Sequence, residues 1–284
     1  VEIPTARGLL DLDALRAALD KKIFLASFML VNNETGARYD IESAFSLIKQ
    51  KYPEAITHCD AVQGFMKIPF SPTSLHADLI SVSGHKLHAP KGVGALYISA
   101  DMIKKRKIVP YIYGGGQEKG RRAGTENIAS IVGLGEAARI KRETMEAETA
   151  YLRKLSRKLI DGVLKFPQTI LTGHPEQRLP GTCSFCINAI EGESLVLMLD
   201  FNGICASTGS ACSTGSLDPS HVLLAIGRIH DVAHGSLRLS LCEYNTEEEV
   251  DHILACVPKV VQSLRNMSPV WRDLQTGKRE YILK

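Results

Sequence analysis

The sequence predicts an α/β protein with a mostly parallel central sheet flanked by helices, followed by a smaller α+β domain. Apolar runs of strand length alternate with amphipathic helical patterns in the first half of the chain, an order typical of a parallel sheet buried on both faces. A long charged helical pattern follows, and beyond it two strand patterns stand among several helices. We therefore expect a large domain over residues 1–145 and a small domain over residues 146–284.

Each predicted element rests on its hydrophobic period and on the polar residues that end it. In the large domain, apolar runs predict strands at 23–31, 55–61, 77–83 and 92–98. Helical spacing predicts helices at 11–19, 41–50 and, with a charged solvated face, 127–166. The small domain is predicted to contain strands at 182–187 and 236–241, helices at 193–199, from 219 onward and at 247–264, and a polar loop at 206–216.

The composition argues against several classes of function. The chain carries 34 Lys and Arg against 31 Asp and Glu, and this net charge of +3 is too small to indicate nucleic acid or an anionic membrane as a partner. No stretch approaches the about 18 apolar residues of a membrane-spanning helix. The seven cysteines lack the dense spacing of a secreted disulfide scaffold, so we expect reduced thiols and a cytoplasmic location. Because the first residue is Val1, we expect the sequence to begin inside a longer gene product.

Polar residues follow the ends of three predicted strands. Asn33, Asp60 and the run 83–86 (Ser-Gly-His-Lys) stand at these positions. The carboxyl ends of strands in open α/β sheets form the ligand crevice, so the three clusters together predict one site. Taken singly, each cluster is more typical of a turn than of a site, because Asn, Asp, Ser and Gly dominate turns for structural reasons.

The side chains in these clusters suit a ring cofactor that carries an aldehyde and a phosphate. Lys86 is a candidate Schiff-base lysine, although most lysines are simply surface residues. Asp60 suits a pyridinium nitrogen, because a carboxylate keeps that nitrogen protonated. Ser83, His85 and Thr125 carry hydroxyl and imidazole donors that could hold the phosphate.

Cys212 is the candidate nucleophile. It lies in a polar, glycine-containing segment without apolar periodicity, so we expect an exposed loop, and a nucleophilic thiol needs such access. Cys59 and Cys256 stand in apolar periodic segments and fit a structural role better. The spacing of Cys183 and Cys186 is that of a redox or metal pair, but both fall in a predicted strand, where they point to opposite faces. We therefore predict no metal site.

Six sequence blocks resemble those of the NifS/IscS cysteine desulfurases, which are fold-type I pyridoxal-phosphate enzymes of the aminotransferase class V superfamily. The Ser-Gly-His-Lys run alone marks only the superfamily, whereas the block around Cys212 narrows the resemblance to the NifS/IscS group. The blocks follow in order: VNNETG at 31–36, HCDAVQ at 58–63, SGHKLHAPKGVGAL at 83–96, GGGQEKGRRAGTEN at 114–127, ASTGSACSTGSLDPSHVL at 206–223 and GSLRLSL at 235–241.

This resemblance implies a cofactor, a substrate and a role for each matching residue. The cofactor is pyridoxal 5'-phosphate, and L-cysteine gives L-alanine while its sulfur passes to Cys212 as a persulfide. The acceptor is a protein such as an iron–sulfur scaffold, or a tRNA-thiolation relay, and the enzyme is a homodimer with shared sites. The implied roles are Lys86 for the covalent link, Asp60 for the pyridine nitrogen, Asn33 and Gln63 near the ring hydroxyl, Ser83 and His85 for the phosphate, Thr125 for the phosphate of the neighbouring subunit, and Arg238 with Asn33 for the substrate.

The match also has departures. The chain lacks the N-terminal portion that in the family grips the phosphate and supplies the histidine stacked on the ring. Ser184 stands where the family usually has Asn, and Cys242 replaces a usual Gly. Two alternatives therefore stay open: a selenocysteine lyase or related lyase of the same fold, and an inactive truncated homologue that acts as a binding subunit.

Overall fold

The computed structural model describes residues 1–5, 8–209 and 218–280 of the chain. The chain divides into two compact units. The first comprises Val1, Leu12–Val31 and Tyr39–Glu146. The second comprises Glu2–Asp11, Asn32–Arg38 and Ala147–Lys284.

The first unit is built on a four-stranded sheet in the order β1-β2-β3-β4. The first three strands run parallel, and the fourth pairs antiparallel with the third, which confirms the mostly parallel α/β sheet. The strands are β1 (Leu25–Met29), β2 (Ile56–Asp60), β3 (Leu79–Ser83) and β4 (Gly94–Ile98). The helices are α1 (Leu12–Ala18), α2 (Ile41–Lys51), α3 (Ala100–Lys104), α4 (Gln117–Gly120) and α5 (Ile128–Val163), the last shared with the second unit.

Helix α2 shows how the sequence sets an element of this unit. Its N-cap is Asp40, whose carboxylate accepts a hydrogen bond from the Ser43 amide at 3.1 Å and so satisfies one of the open amides of the first turn. The apolar residues that it buries recur at helical spacing, at Ile41, Ala44, Phe45 and Ile48. The helix therefore presents one continuous apolar stripe to the core.

The expectation that the sheet is buried on both faces is wrong for its outer strand. Residues 94–97 of β4 are all exposed, and Leu96 and Tyr97 keep 50% and 42% of their surfaces accessible. The apolar run predicts this strand correctly. It does not predict which elements pack against the strand, because the hydrophobic pattern depends on the type of element and not on its neighbours.

The second unit has a three-stranded antiparallel sheet in the order β5-β6-β7. The strands are β5 (Thr169–Leu171), β6 (Thr182–Ile187) and β7 (Ser236–Ser240), and β5 was not predicted from the sequence. The helices are α6 (Gly192–Asp200), α7 (His221–Ala225), α8 (His230–His234), α9 (Glu247–Met267) and α10 (Pro269–Gln275). The central strand is buried, and Phe185 lies at the middle of an apolar cluster formed with the helices of this unit.

Helix α9 is fixed at both ends by polar contacts. A capping box joins Thr246 and Glu249 at its start. Near its end, the buried Arg265 donates to the carbonyls of Pro167 and Asn188, and its guanidinium stacks over the Trp271 ring at 4.0 Å from the centroid. None of the helices in the described part of the chain is long and apolar enough to cross a membrane.

Candidate functional site

Two of the predicted polar clusters lie at the same edge of the first sheet. Asp60 is the last residue of β2, and Ser83 is the last residue of β3. These strands are parallel neighbours, and Asp60 pairs in register with Ser81. The carboxyl ends of adjacent parallel strands therefore bring Asp60 and the run 83–86 together, as the sequence predicts.

Asp60 is half-buried and partly oriented by the backbone. Its Oδ1 accepts a hydrogen bond from the Val62 amide at 3.0 Å, an Asx turn that fixes the carboxylate just beyond the strand. Gln63 follows in the same turn region and is also half-buried. A carboxylate held in this way can receive a protonated ring nitrogen.

The run 83–86 leaves β3 through a short 3-10 helix, Gly84–Leu87. The Ser83 hydroxyl and the Nδ1 atom of His85 are hydrogen-bonded at 2.8 Å, so the two candidate phosphate ligands face each other. A side chain at Gly84 would place its Cβ 2.9 Å from Val93 Cγ1, which makes glycine necessary at this turn. Lys86 follows in the 3-10 helix and is half-buried.

A hydrogen-bonded ladder that sequence reasoning missed lies on the face of the sheet that carries Asp60. His58 Nδ1 contacts the Ser27 hydroxyl at 2.7 Å, and His58 Nε2 contacts the Ser81 hydroxyl at 2.8 Å. Burial lowers the pKa of His58, which favours the neutral ring with one donor and one acceptor nitrogen. The signal was available, because strand alternation puts His58 and Asp60 on one face.

The two predicted substrate-binding residues, Arg238 and Asn33, belong to the second unit. The Nη1 atom of Arg238 donates to the Asn33 carbonyl at 2.9 Å, and Nη2 donates to the Ser207 hydroxyl at 3.3 Å. Its Nε is buried and has no hydrogen-bond partner among the described residues. The guanidinium is thus held in place from two sides, while three of its five N–H donors have no acceptor among the described residues.

The remaining predicted residues are less informative. Thr125 is exposed, in the segment between α4 and α5. Cys212 lies outside the described residues. Ser184, which replaces the Asn usual in the family, is buried in β6 and accepts a hydrogen bond from the Thr172 hydroxyl at 2.7 Å. Cys242 is half-buried.

Most of the other thiols are structural. Burial raises the pKa of Cys59 and of Cys186 to about 12 and that of Cys183 to about 11. Cys183 and Cys186 pack in separate apolar clusters, in agreement with the strand alternation that argued against a redox or metal pair. Cys205 is exposed.

Comparisons with known proteins identify the family. The model of the aminotransferase class-V family matches residues 2–253. Cysteine desulfurase IscS of Methanosarcina thermophila is 48% identical over 263 residues, which is 93% of this chain and 64% of that protein. Cysteine desulfurase IscS of Clostridium botulinum strain Hall is 45% identical over 276 residues, which is 96% of this chain and 68% of that protein. The chain therefore spans about two thirds of the length of these relatives.

Solved structures show the same similarity. A NifS-like protein from Rickettsia africae superposes with a TM-score of 0.83 at 31% identity, over 92% of this chain and 69% of the other. A second NifS-like protein gives a TM-score of 0.84 at 38% identity, over 93% and 68%. The chain thus belongs to the aminotransferase class-V family and, within it, to the IscS/NifS group of cysteine desulfurases.

Proposed function

We propose that this chain carries the cofactor-binding and sulfur-accepting residues of an enzyme that converts L-cysteine and an acceptor thiol to L-alanine and a persulfide. The observation that carries the proposal is the meeting of Asp60 with the run 83–86 at the carboxyl ends of two parallel strands. The similarity to cysteine desulfurases supports the choice of reaction within the family.

The residues at this edge fit pyridoxal phosphate, the cofactor of the class-V family. The donor set contains a carboxylate for a protonated ring nitrogen, a hydroxyl and an imidazole for a phosphate, and an amine for a carbonyl. Lys86 would hold the cofactor covalently, Asp60 would face the pyridine nitrogen, and Ser83 with His85 would bind the phosphate. When bound, the cofactor supplies an electron sink for bonds at the carbon atoms of an amino acid.

The chain's own residues would bind and orient the substrate. Arg238 offers a guanidinium fork, which matches a carboxylate, and its Nη1 and Nη2 atoms are already restrained by Asn33 and Ser207. We assign it to the carboxylate of L-cysteine. Asp60 holds a proton on the ring nitrogen, and Gln63 and Asn33 would lie near the ring hydroxyl.

Cys212 would act on the sulfur alone. Its thiolate attacks the sulfur of L-cysteine, an S–S bond forms, and the Cβ–S bond of the substrate breaks. The electron pair of the broken bond stays with the carbon, which takes up one proton, equal to the one that the Cys212 thiol lost on ionising, and becomes the methyl group of L-alanine. The persulfide then passes its outer sulfur to the thiol of an acceptor protein, such as an iron–sulfur scaffold.

The enzyme is further proposed to be a homodimer whose first unit is the cofactor domain and whose second unit carries the Cys212 segment. Large apolar side chains are exposed in the first unit at Val109, Tyr111 and Tyr113, ahead of the exposed Thr125, and such a patch is typical of an interface. This supports the assignment of Thr125 to the neighbouring subunit's phosphate. Sedimentation that finds only monomer at micromolar protein would contradict it.

Covalent trapping tests the assignment of Lys86. The purified protein is incubated with pyridoxal phosphate, reduced with borohydride and mapped by peptide mass spectrometry. We expect the label on Lys86 and its loss in Lys86→Ala, because this lysine directly follows His85 in the 3-10 helix after β3. Lys91 is the matched control, since it is exposed and lies in the same stretch of chain. A label that stays on Lys91 or Lys67 in Lys86→Ala, with none on Lys86 in the parent, would refute the assignment.

A further inference from the structure

Gly209 and Ser220, which lie on either side of the Cys212 segment, are close together. The last residue described before it is Gly209, and Ser220 caps the helix that follows it. A Cβ built on Gly209 lies 3.5 Å from the Ser220 Cβ and 3.3 Å from Leu223 Cδ1. The intervening chain could separate its ends by more than about 30 Å, so contacts of the flanking residues must hold them together.

Glu34 supplies one of these contacts. Its Oε2 atom accepts a hydrogen bond from the Ser220 hydroxyl at 2.5 Å, and the same oxygen lies 2.9 Å from the Cβ position of Gly209. A single carboxylate oxygen therefore bonds to Ser220 and occupies the space beside Gly209 that a side chain there would need. The residue is in the VNNETG block, but neither the resemblance nor the proposed mechanism gave it a role.

The hydrogen bonds of Ser220 fix the direction of this contact. Its hydroxyl oxygen accepts from the amides of Val222 at 3.1 Å and Leu223 at 3.4 Å, as an N-cap residue does. Both lone pairs are used in this way, so the hydroxyl proton must be donated to Glu34. The contact thus requires an acceptor atom at position 34.

The same cluster restrains Arg238. The Gly209 amide donates to the Ser236 hydroxyl at 3.1 Å, and Ser207 forms a backbone bridge with Arg238. Desolvation raises the pKa of Glu34, and the charge of the Arg238 guanidinium is among the effects that oppose this rise. One cluster of contacts therefore includes the proposed carboxylate ligand and both ends of the segment that bears the proposed nucleophile.

We propose that Glu34 is a positioning residue that joins the two ends of the Cys212 segment and so fixes where that segment starts and ends relative to Arg238. The inference rests on the proposed function, which makes Cys212 the sulfur-accepting nucleophile. The contact between Glu34 and Ser220 lies wholly within the second unit.

The contact needs the acceptor oxygen of Glu34 and not its charge. Glu34 is only 6% exposed, and desolvation raises its pKa against the opposing effects of Ser220, His221 and Arg238. A carboxyl whose folded pKa is raised loses its contribution to stability as the pH rises through that pKa. The ionised side chain therefore costs stability at neutral pH, and we expect Glu34→Gln, which keeps an acceptor oxygen, to unfold at no lower urea concentration than the parent.

Alkylation of thiols tests the contact without any need for enzyme activity. Iodoacetamide labelling is followed by peptide mass spectrometry, and the rate at Cys212 is divided by the rate at the exposed Cys205. We expect Glu34→Ala and Ser220→Ala each to change this ratio by about threefold or more in the same direction. The double variant should show no larger change, because both substitutions break one interaction.

Conservative variants of Glu34 distinguish the effect of side-chain length from that of the negative charge. Glu34→Gln should leave the alkylation ratio near that of the parent, whereas Glu34→Asp keeps the charge but is one methylene too short to reach Ser220, and should behave as Glu34→Ala. Glu193→Gln, at an exposed position of α6, is the control and should change nothing. An unchanged ratio in Glu34→Asp and Ser220→Ala, or additive effects in the double variant, would overturn the proposal.

The kinetic counterpart uses protein loaded with pyridoxal phosphate. We expect Glu34→Asp to lower alanine release about tenfold while the cofactor's spectral change on adding L-cysteine keeps its rate. Equal loss of both would indicate general structural damage and would count against positioning. If borohydride trapping on Lys86 fails, the proposed function is wrong, but the alkylation ratio still tests the contact between Glu34 and Ser220. Failure of the proposed function and failure of the positioning role can therefore be told apart.

Discussion

The two sheets differ in how fully the chain buries them. In the second unit, β6 lies between two partners, and its residues from Cys183 to Ile187 are all buried. In the first unit, both outer strands expose apolar side chains, at Leu25 of β1 and at Leu96 and Tyr97 of β4. A buried central strand contributes stability directly, whereas an open apolar edge is a surface that proteins normally cover.

The largest effect should come from the buried strand. Phe185 is fully buried in the apolar cluster of the second unit, so Phe185→Ala removes a large side chain and leaves a cavity. We expect a loss of about 3–5 kcal/mol in the free energy of unfolding, measured by urea denaturation.

The matched substitution on the exposed strand is Tyr97→Ala. Because 42% of this side chain is already accessible, the expected loss is below about 1 kcal/mol. Equal losses from the two variants would show that β4 is covered in solution and would break the comparison.

Thiol reactivity compares the interiors of the two sheets. Burial raises the pKa of Cys59 in β2 and of Cys186 in β6 to about 12, so at pH 8 only roughly one in ten thousand of either thiol is ionised. Both should react with a disulfide reagent at least about a hundredfold more slowly than the exposed Cys205. The rates are read by peptide mass spectrometry.

The same experiment has an outcome that would revise the comparison. If Cys59 reacts as quickly as Cys205 while Cys186 stays protected, the first sheet opens on the time scale of labelling. The open edges would then lower the stability of its central strand as well as that of the outer ones.

The smallest effect concerns association through the open edge. Leu96→Lys places a charge on β4, where edge strands carry such residues to prevent pairing with other chains. We expect about a twofold slower growth of light scattering on warming. Leu197→Lys is the control, because Leu197 is 60% exposed and belongs to helix α6 and not to a strand. If light scattering grows equally slowly in both variants, the effect is due to net charge and not to the edge of β4.

The sequence predicted local elements and their ends better than it predicted their surroundings. Asp60 and Ser83 were placed at strand ends because apolar runs stop there, and the structure brings them together. The exposure of β4 could not be predicted, because an apolar strand has the same sequence pattern whether it is covered by other elements or exposed.

Contacts between distant parts of the chain were also beyond the sequence. Ser220 meets Glu34 across 186 residues, and no pattern within either segment encodes that pairing. The ladder through His58 has a partial signal in strand alternation, but its serine partners depend on the register of three strands. The unpredicted strand β5 has only three residues, too few for a period to be recognised.

The discontinuity of the second unit limits how this protein can be divided into recombinant fragments. Asn32–Arg38 belongs to that unit although it precedes most of the first. It provides the Asn33 carbonyl to Arg238, the Glu34 carboxylate to Ser220, and the Thr35 carbonyl to Arg178. A fragment cut at 146/147 would leave these buried donors without their acceptors. An isolated C-terminal fragment would recover these contacts only when a synthetic peptide of residues 32–38 is added to it in trans.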